Sequence, residues 1–269
     1  MNDRSPLDAN PIAYITNEDL HSYTFRNVAE LLSVIQIRHL ITQRRWANFL
    51  QSGAELQVHG VTDPSVFKDT VAHNIQGIKN SVPALASLTR SELVFRPVMC
   101  LDHIFSYRSQ SVFPDKTMLL IGSRTEYEYL SALSYGVNPA NLHAVDLISY
   151  SPWITLGDMH ALPYEANKFD VIIVGWTLNY SDTPSKVAEE IIRVAKPGAV
   201  VSIGNDCYKQ EHLQATAFAN EQRPQTMAQL TRCFGNAVGE IYFCHEPNYR
   251  RDDIPGFTGH LIGTFEIRK

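Results

Sequence analysis

The sequence predicts an α/β fold built on a mainly parallel sheet, finished by an antiparallel hairpin and preceded by a helical N-terminal extension. Three features carry that expectation. From Met118 onward the short, β-rich apolar runs MLLIG, LHAVDL, VIIVG and AVVSIG alternate with segments of helical spacing, the arrangement that gives parallel strands with helices on both faces of a sheet. Before that point the chain reads as helix: Phe25 to Leu50 places Val28, Leu31, Leu32, Ile35, Leu40, Ile41, Trp46 and Phe49 at helical spacing and stops at Gly53. Near the end, EIYFCHE and HLIGTFEIRK flank the turn-rich PNYRRDDIPGFTG, the pattern of two strands in a hairpin.

The remaining elements follow the same logic. Val66 to Leu88 offers a second helical stretch, broken at Pro83. The helix between VIIVG and AVVSIG is well punctuated: Asp182 or Thr183 can cap it, Pro184 suits its first turn, Val187, Ile191 and Ala195 form its apolar stripe, and Pro197-Gly198 stops it. The expected division is an extension or lid over residues 1–105 and a core over 106–269. A chain of 269 residues, 44% hydrophobic and 19% charged, favours one main core. Its net charge of −5 supplies no basic excess for nucleic acid. No apolar run approaches the roughly 20 residues that span a bilayer, and the start MNDRSPLDANPIAY lacks the charged-then-apolar layout of a signal, so the expectation is a cytoplasmic protein with no membrane partner. Cys100, Cys207, Cys233 and Cys244 show neither CxxC nor paired His spacing, which suggests buried thiols and no metal.

Between Met118 and Asn205 the segments LLIGSRTEYE, HAVDL, GDMHALPYEANKFDVIIVGWTLNYSD and AEEIIRVAKPGAVVSIGND follow one another. In this order they resemble the class I S-adenosylmethionine-dependent methyltransferases, in particular the type 11 branch. The resemblance implies a Rossmann-like fold of seven mainly parallel strands ending in a hairpin, S-adenosylmethionine as cofactor and a small-molecule acceptor. It further implies that Gly122 and Ser123 let the backbone approach the cofactor, and that Asp146 with Leu147 holds the ribose. Asp158 is implied to accept from the adenine amine while the Met159 backbone meets the ring edge, and Gly175 and Trp176 to lie beneath the methyl group. Asp146 is legible in its own right, because a carboxylate at the end of a buried strand offers two acceptors to a vicinal diol; the plain alternative is a solvated strand-end Asp.

The sequence also departs from that pattern. Leu120 stands where the family has an acid, and Arg124 and Glu126 where it has the second and third glycines, so of the loop only Gly122 remains. Arg124 can pair with the methionyl carboxylate and Glu126 can attract the ammonium or sulfonium; equally, Glu126 can favour the first turn of a helix while Arg124 faces solvent. Only twelve positions separate Asp146 from Asp158, too few for the usual helix and strand, so the SYSPW turn must replace the helix. Trp153 in that turn either stacks on the purine or covers the strand edge. A general base is needed only for acceptors that hold their proton; His160, Tyr180 and Asp182 are candidates without a specific signature. Acceptor choice is expected to fall to the extension, with Arg38, Arg44 and Arg45, and to the segments NDCYKQEHLQATAFANEQRPQ and HEPNYRRDDIPGF. The striped N-terminal helix suits a lid or a homodimer interface. Three readings stay open: a methyltransferase, a protein of that fold that binds S-adenosyl compounds or another ligand without methylating, and a nicotinamide oxidoreductase. The last is least favoured, since a GxGxxG fingerprint starting at Gly122 fails at Arg124 and Tyr127.

Overall fold

A computed structural model describes residues 27–60, 71–79, 96–107, 115–209, 223–247 and 256–269. The extension begins with α1 (Val28–Ser33), whose N-cap Asn27 side chain accepts from the Glu30 N–H at 2.9 Å. The single long helix expected here is broken at Val34, which turns to ψ 112° before α2 (Ile35–Gln51) starts. β1 (Gln57–Val58), α3 over 71–79 and α4 (Arg96–Tyr107) follow. α4 begins ahead of the expected boundary at 105 and packs as part of the core, with Leu101 and Ile104 in one cluster with Leu120 and Ile173.

The core is a seven-stranded sheet built from β2 (Met118–Ile121), β3 (Leu142–Asp146), β5 (Ile154–Leu156), β6 (Phe169–Gly175), β7 (Ala195–Tyr208), β8 (Val238–His245) and β9 (Phe257–Ile267), in the order β5-β3-β2-β6-β7-β9-β8. β5, β3, β2, β6 and β7 run parallel, and β9 is antiparallel to both its neighbours. A short β4 (Ile148–Ser149) pairs with β1 instead. The parallel strands are apolar on both faces, as they must be when helices cover both. Along β2, Met118 and Leu120 face one layer while Leu119 and Ile121 face the other. The second layer is made by α6 (Pro184–Val194) and α7 (Met227–Phe234), which bury Val187, Ile191 and Leu230 against Ile172, Val201 and Phe265. Among the described residues, no helix is long and apolar enough to cross a membrane.

α5 (Glu126–Ser134) follows β2 and is covered on its outer side as well as its inner one. The extension does this: His39 of α2 stacks on Tyr127 with ring centroids 4.5 Å apart, and Arg45 Nε meets Glu126 Oε2 at 2.6 Å. Ile41 and Trp46, from the stripe that the sequence offers to a lid or a partner, are buried within the chain itself, as is Ile37 beside them. The order of strand addition reverses between β2 and β6: the strands after β2 go to one side of it, and β6 returns to the other. Such a switch opens a crevice at the carboxyl ends of the two strands.

Candidate functional site

A cleft open to solvent lies in that crevice, lined by residues at the ends of β2, β3, β5 and β6. Gly122, directly after β2, holds φ +81°. A Cβ there would sit 1.7 Å from Thr177 Oγ1, whose hydroxyl lies 3.2 Å from the Ile121 carbonyl and 3.1 Å from that of Gly175. Thr177 thus seals the floor between the ends of β2 and β6, and only glycine fits beside it.

The walls come from the loops after β3 and β5. Asp146, at the carboxyl end of β3, lines the cleft with Leu147, and its Oδ1 accepts from the Ile148 N–H at 3.1 Å. Burial pushes its pKa up to about 6, partly offset by that N–H and by the Arg124 guanidinium. The SYSPW turn does replace a helix: Ser149 and Ser151 bond within it, and β5 resumes at Ile154. Gly157, Asp158 and Met159 continue the wall. Burial acts to raise the Asp158 pKa, but hydrogen bonds from the His160 ring and backbone outweigh it and hold the carboxyl below its ordinary value. The His160 ring is engaged at both nitrogens, Nδ1 2.7 Å from Asp158 and Nε2 2.8 Å from Ser181 Oγ.

Two wall residues were not legible beforehand. Asn74 of α3 reaches into the cleft, 8% exposed, with its amide oxygen unpartnered. Thr177, already described, is the other. A smaller pocket adjoins them at Ile121 and Gly122 and is lined by Ser123, Glu128 and Gly175.

Several expected ligand contacts are engaged elsewhere. Glu126 is 1% exposed, and Arg45 holds its carboxylate, so it does not reach the cleft. Trp176 donates its indole N–H to Asp206 Oδ1 at 2.8 Å and packs on Gly204; its backbone, at φ +57°, aims the ring there. Trp153 packs with Tyr129 at 5.3 Å and lies 3.8 Å beneath the Arg45 guanidinium, covering the strand edge. Arg38 and Arg45 are buried in contacts within the chain, Arg38 with Tyr127, and so do not face an acceptor. Arg124 lies against Gly77 of α3. Tyr180 lines the cleft, and Asp182 is exposed. Beyond Trp176, Asp206 Oδ1 also meets His260 Nδ1 at 2.9 Å, a His–Asp pair at the carboxyl edge of β7 that sequence reading missed. Most of NDCYKQEHLQATAFANEQRPQ and of HEPNYRRDDIPGF lies outside the described residues.

Residues 128–203 match the methyltransferase domain family, a span that begins inside α5, after the altered loop, and ends in β7. No curated protein matches the chain. Solved structures similar to it include the YcgJ protein of Bacillus subtilis, at 12% identity over 64% of this chain and 99% of that one with a TM-score of 0.48. The N-methyltransferase NodS of Bradyrhizobium japonicum, in complex with S-adenosyl-L-homocysteine, is similar at 13% identity over 65% and 86% with a TM-score of 0.43. The [4+2]-cyclase SpnF is similar at 16% identity over 62% and 80% with a TM-score of 0.46. The crevice-bearing part of the chain, with its mainly parallel seven-stranded sheet and antiparallel end, has the Rossmann-like class I methyltransferase fold.

Proposed function

We propose that the chain binds S-adenosylmethionine in the cleft and passes its methyl group to a small-molecule acceptor. The observation that carries this reading is the buried Asp146 carboxylate lining the cleft together with Asp158 and with Gly122, whose bare backbone follows β2. The residues present fit the cofactor. Gly122 brings bare backbone to the cleft, Asp146 offers acceptors to ribose hydroxyls, and the unpartnered Asn74 oxygen offers one to an amine or hydroxyl.

Bound S-adenosylmethionine supplies an electrophilic methyl carbon on a sulfonium, which a nucleophile can take with the C–S electron pair leaving to sulfur. The chain's part is positioning. Asp146 holds the ribose, Asp158 and Met159 meet the adenine, and His160 fixes the Asp158 carboxylate through its ring and backbone N–H. Because both His160 nitrogens are engaged, the base for an acceptor that holds its proton falls to His260, oriented by Asp206, with Tyr180 and Asp182 as the other candidates. We assign the extension ahead of α4 the role of lid, since Asn74 of α3 lines the cleft.

Calorimetric titration with S-adenosylmethionine, S-adenosylhomocysteine and NAD tests the reading. Both S-adenosyl compounds should bind and NAD should not. In Asp146→Ala the loss of two hydrogen bonds to a charged acceptor should weaken binding at least about a hundredfold. Equal binding by wild type and variant, or preference for NAD, would refute it. The second reading, binding without methylation, rests on the loop in which Arg45 holds Glu126; it would be favoured by tight binding with no transfer to any acceptor in a broad panel.

A further inference from the structure

Glu128 sits in the first turn of α5, where the Arg124 charge and hydrogen bonds from Ser123 and the Thr125 backbone act on its carboxyl without outweighing its burial. The residue is 7% exposed, and its Oε2 has no hydrogen-bond partner among the described residues. It lines the smaller pocket together with Leu101, Leu120, Ile173, Gly122 and Ser123. A carboxylate stripped of water among aliphatic side chains is costly unless a cation or donor meets it. Accordingly burial pushes its pKa up to about 8; Arg124 offsets this in part, and the Asp146 charge adds to it. An acid maintained in such a place, facing a cavity, is arranged for a positively charged ligand group.

The cavity and the main cleft share Ile121 and Gly122. A nucleoside held at Asp146 therefore has this cavity as the adjoining space beyond the glycine. The strand itself brings no charge there, since Leu120 fills the position at the end of β2 and belongs to the apolar cluster.

Resting on the cofactor reading above, we infer that Glu128 is the residue that receives the ammonium of the cofactor's amino-acid tail, supplying from helix α5 the negative charge that strand β2 lacks. The arrangement leaves Glu126 to structure and Glu128 to the ligand, because residues two apart on a helix face different ways. The Ser123 hydroxyl, beside Glu128 in the same cavity, is placed to orient the carboxylate.

The experiment separates the tail from the nucleoside. Wild type, Glu128→Gln and Asp146→Ala are titrated with S-adenosylhomocysteine, with its deaminated analogue, and with 5′-methylthioadenosine, which has no amino-acid tail. Glu128→Gln keeps shape and removes charge, and its thermal midpoint reports that the fold is intact. It should lose at least about tenfold in affinity for S-adenosylhomocysteine, the worth of one charge-assisted hydrogen bond, and less than about twofold for methylthioadenosine. A second arm changes the ligand instead: removal of its amino group should cost wild type the same factor and cost Glu128→Gln nothing. Equal losses on both nucleosides, or no loss on either, overturn the inference while leaving the cofactor reading in place. Failure of wild type to bind any of the three overturns both.

Discussion

At Gly122 two independent constraints coincide. The backbone holds φ +81°, which costs an L side chain, and a Cβ would collide with the Thr177 side chain at 1.7 Å. Thr177 cannot yield freely, because its hydroxyl lies between the carbonyls of Ile121 and Gly175 and so ties the two strand ends together. Gly122→Ala should therefore destabilise the fold by more than about 2 kcal/mol and weaken S-adenosylhomocysteine binding besides, as read by denaturant titration and calorimetry. Gly122→Ala paired with Thr177→Ala, which removes the collision but leaves the positive φ, should recover part of the stability. A single variant as stable as wild type would contradict the packing described. Arg124 and Glu126 need no such freedom: Glu126 starts a helix after the extended Thr125, and neither residue has positive φ.

At the scale of elements, the clamp between α2 and α5 gives Glu126 of the loop a structural role. Arg45 reaches Glu126 at 2.6 Å with both side chains buried, while the Glu126 N–H donates to the Tyr150 hydroxyl at 3.3 Å. The helix after β2 is thereby fastened to the extension on one side and to the SYSPW turn on the other. Arg45→Met leaves a buried carboxylate without its partner and should cost about 3–5 kcal/mol in chemical denaturation, whereas Arg45→Met with Glu126→Leu should regain most of it. If the single change costs nothing, the clamp has no structural weight. The same clamp marks where sequence reading stops. Strands β2, β3, β6 and β7, the hairpin and the place of Asp146 were legible because each rests on a local pattern of apolar runs and turn residues. Glu126 was not, since its partner lies 81 positions away. An acid in a first turn ordinarily reads as a favourable end charge, and nothing local discloses that α2 covers it. Glu128 was missed for the same reason, and His260 because Asp206 stands 54 positions from it. The break at Val34 carries no Gly or Pro to announce it.

For the whole molecule, the buried acid sets a pH dependence. The Glu128 pKa is raised from 4.5 to about 8 on folding. A group raised in this way favours the folded state fully below its unfolded pKa and loses that contribution as pH rises through the folded value. Glutamine mimics the protonated form throughout. The ligand-free wild type and Glu128→Gln should thus be equally stable near pH 4.5, and the variant should gain steadily on wild type toward pH 8.5, as read from denaturation midpoints across that range. A gap that is constant with pH would mean that Glu128 is not buried as described. The strand order has a consequence of another kind. β9 lies between β7 and β8, yet it follows β8 in the chain. While a ribosome is still making the segment between them, β8 has no neighbour to pair with and β7 shows a bare row of amides and carbonyls along a nearly complete sheet. The nascent protein passes through a half-closed stage in which any foreign strand can take the place kept for β9, so its yield in the cell should depend on translation speed and chaperone supply over that interval.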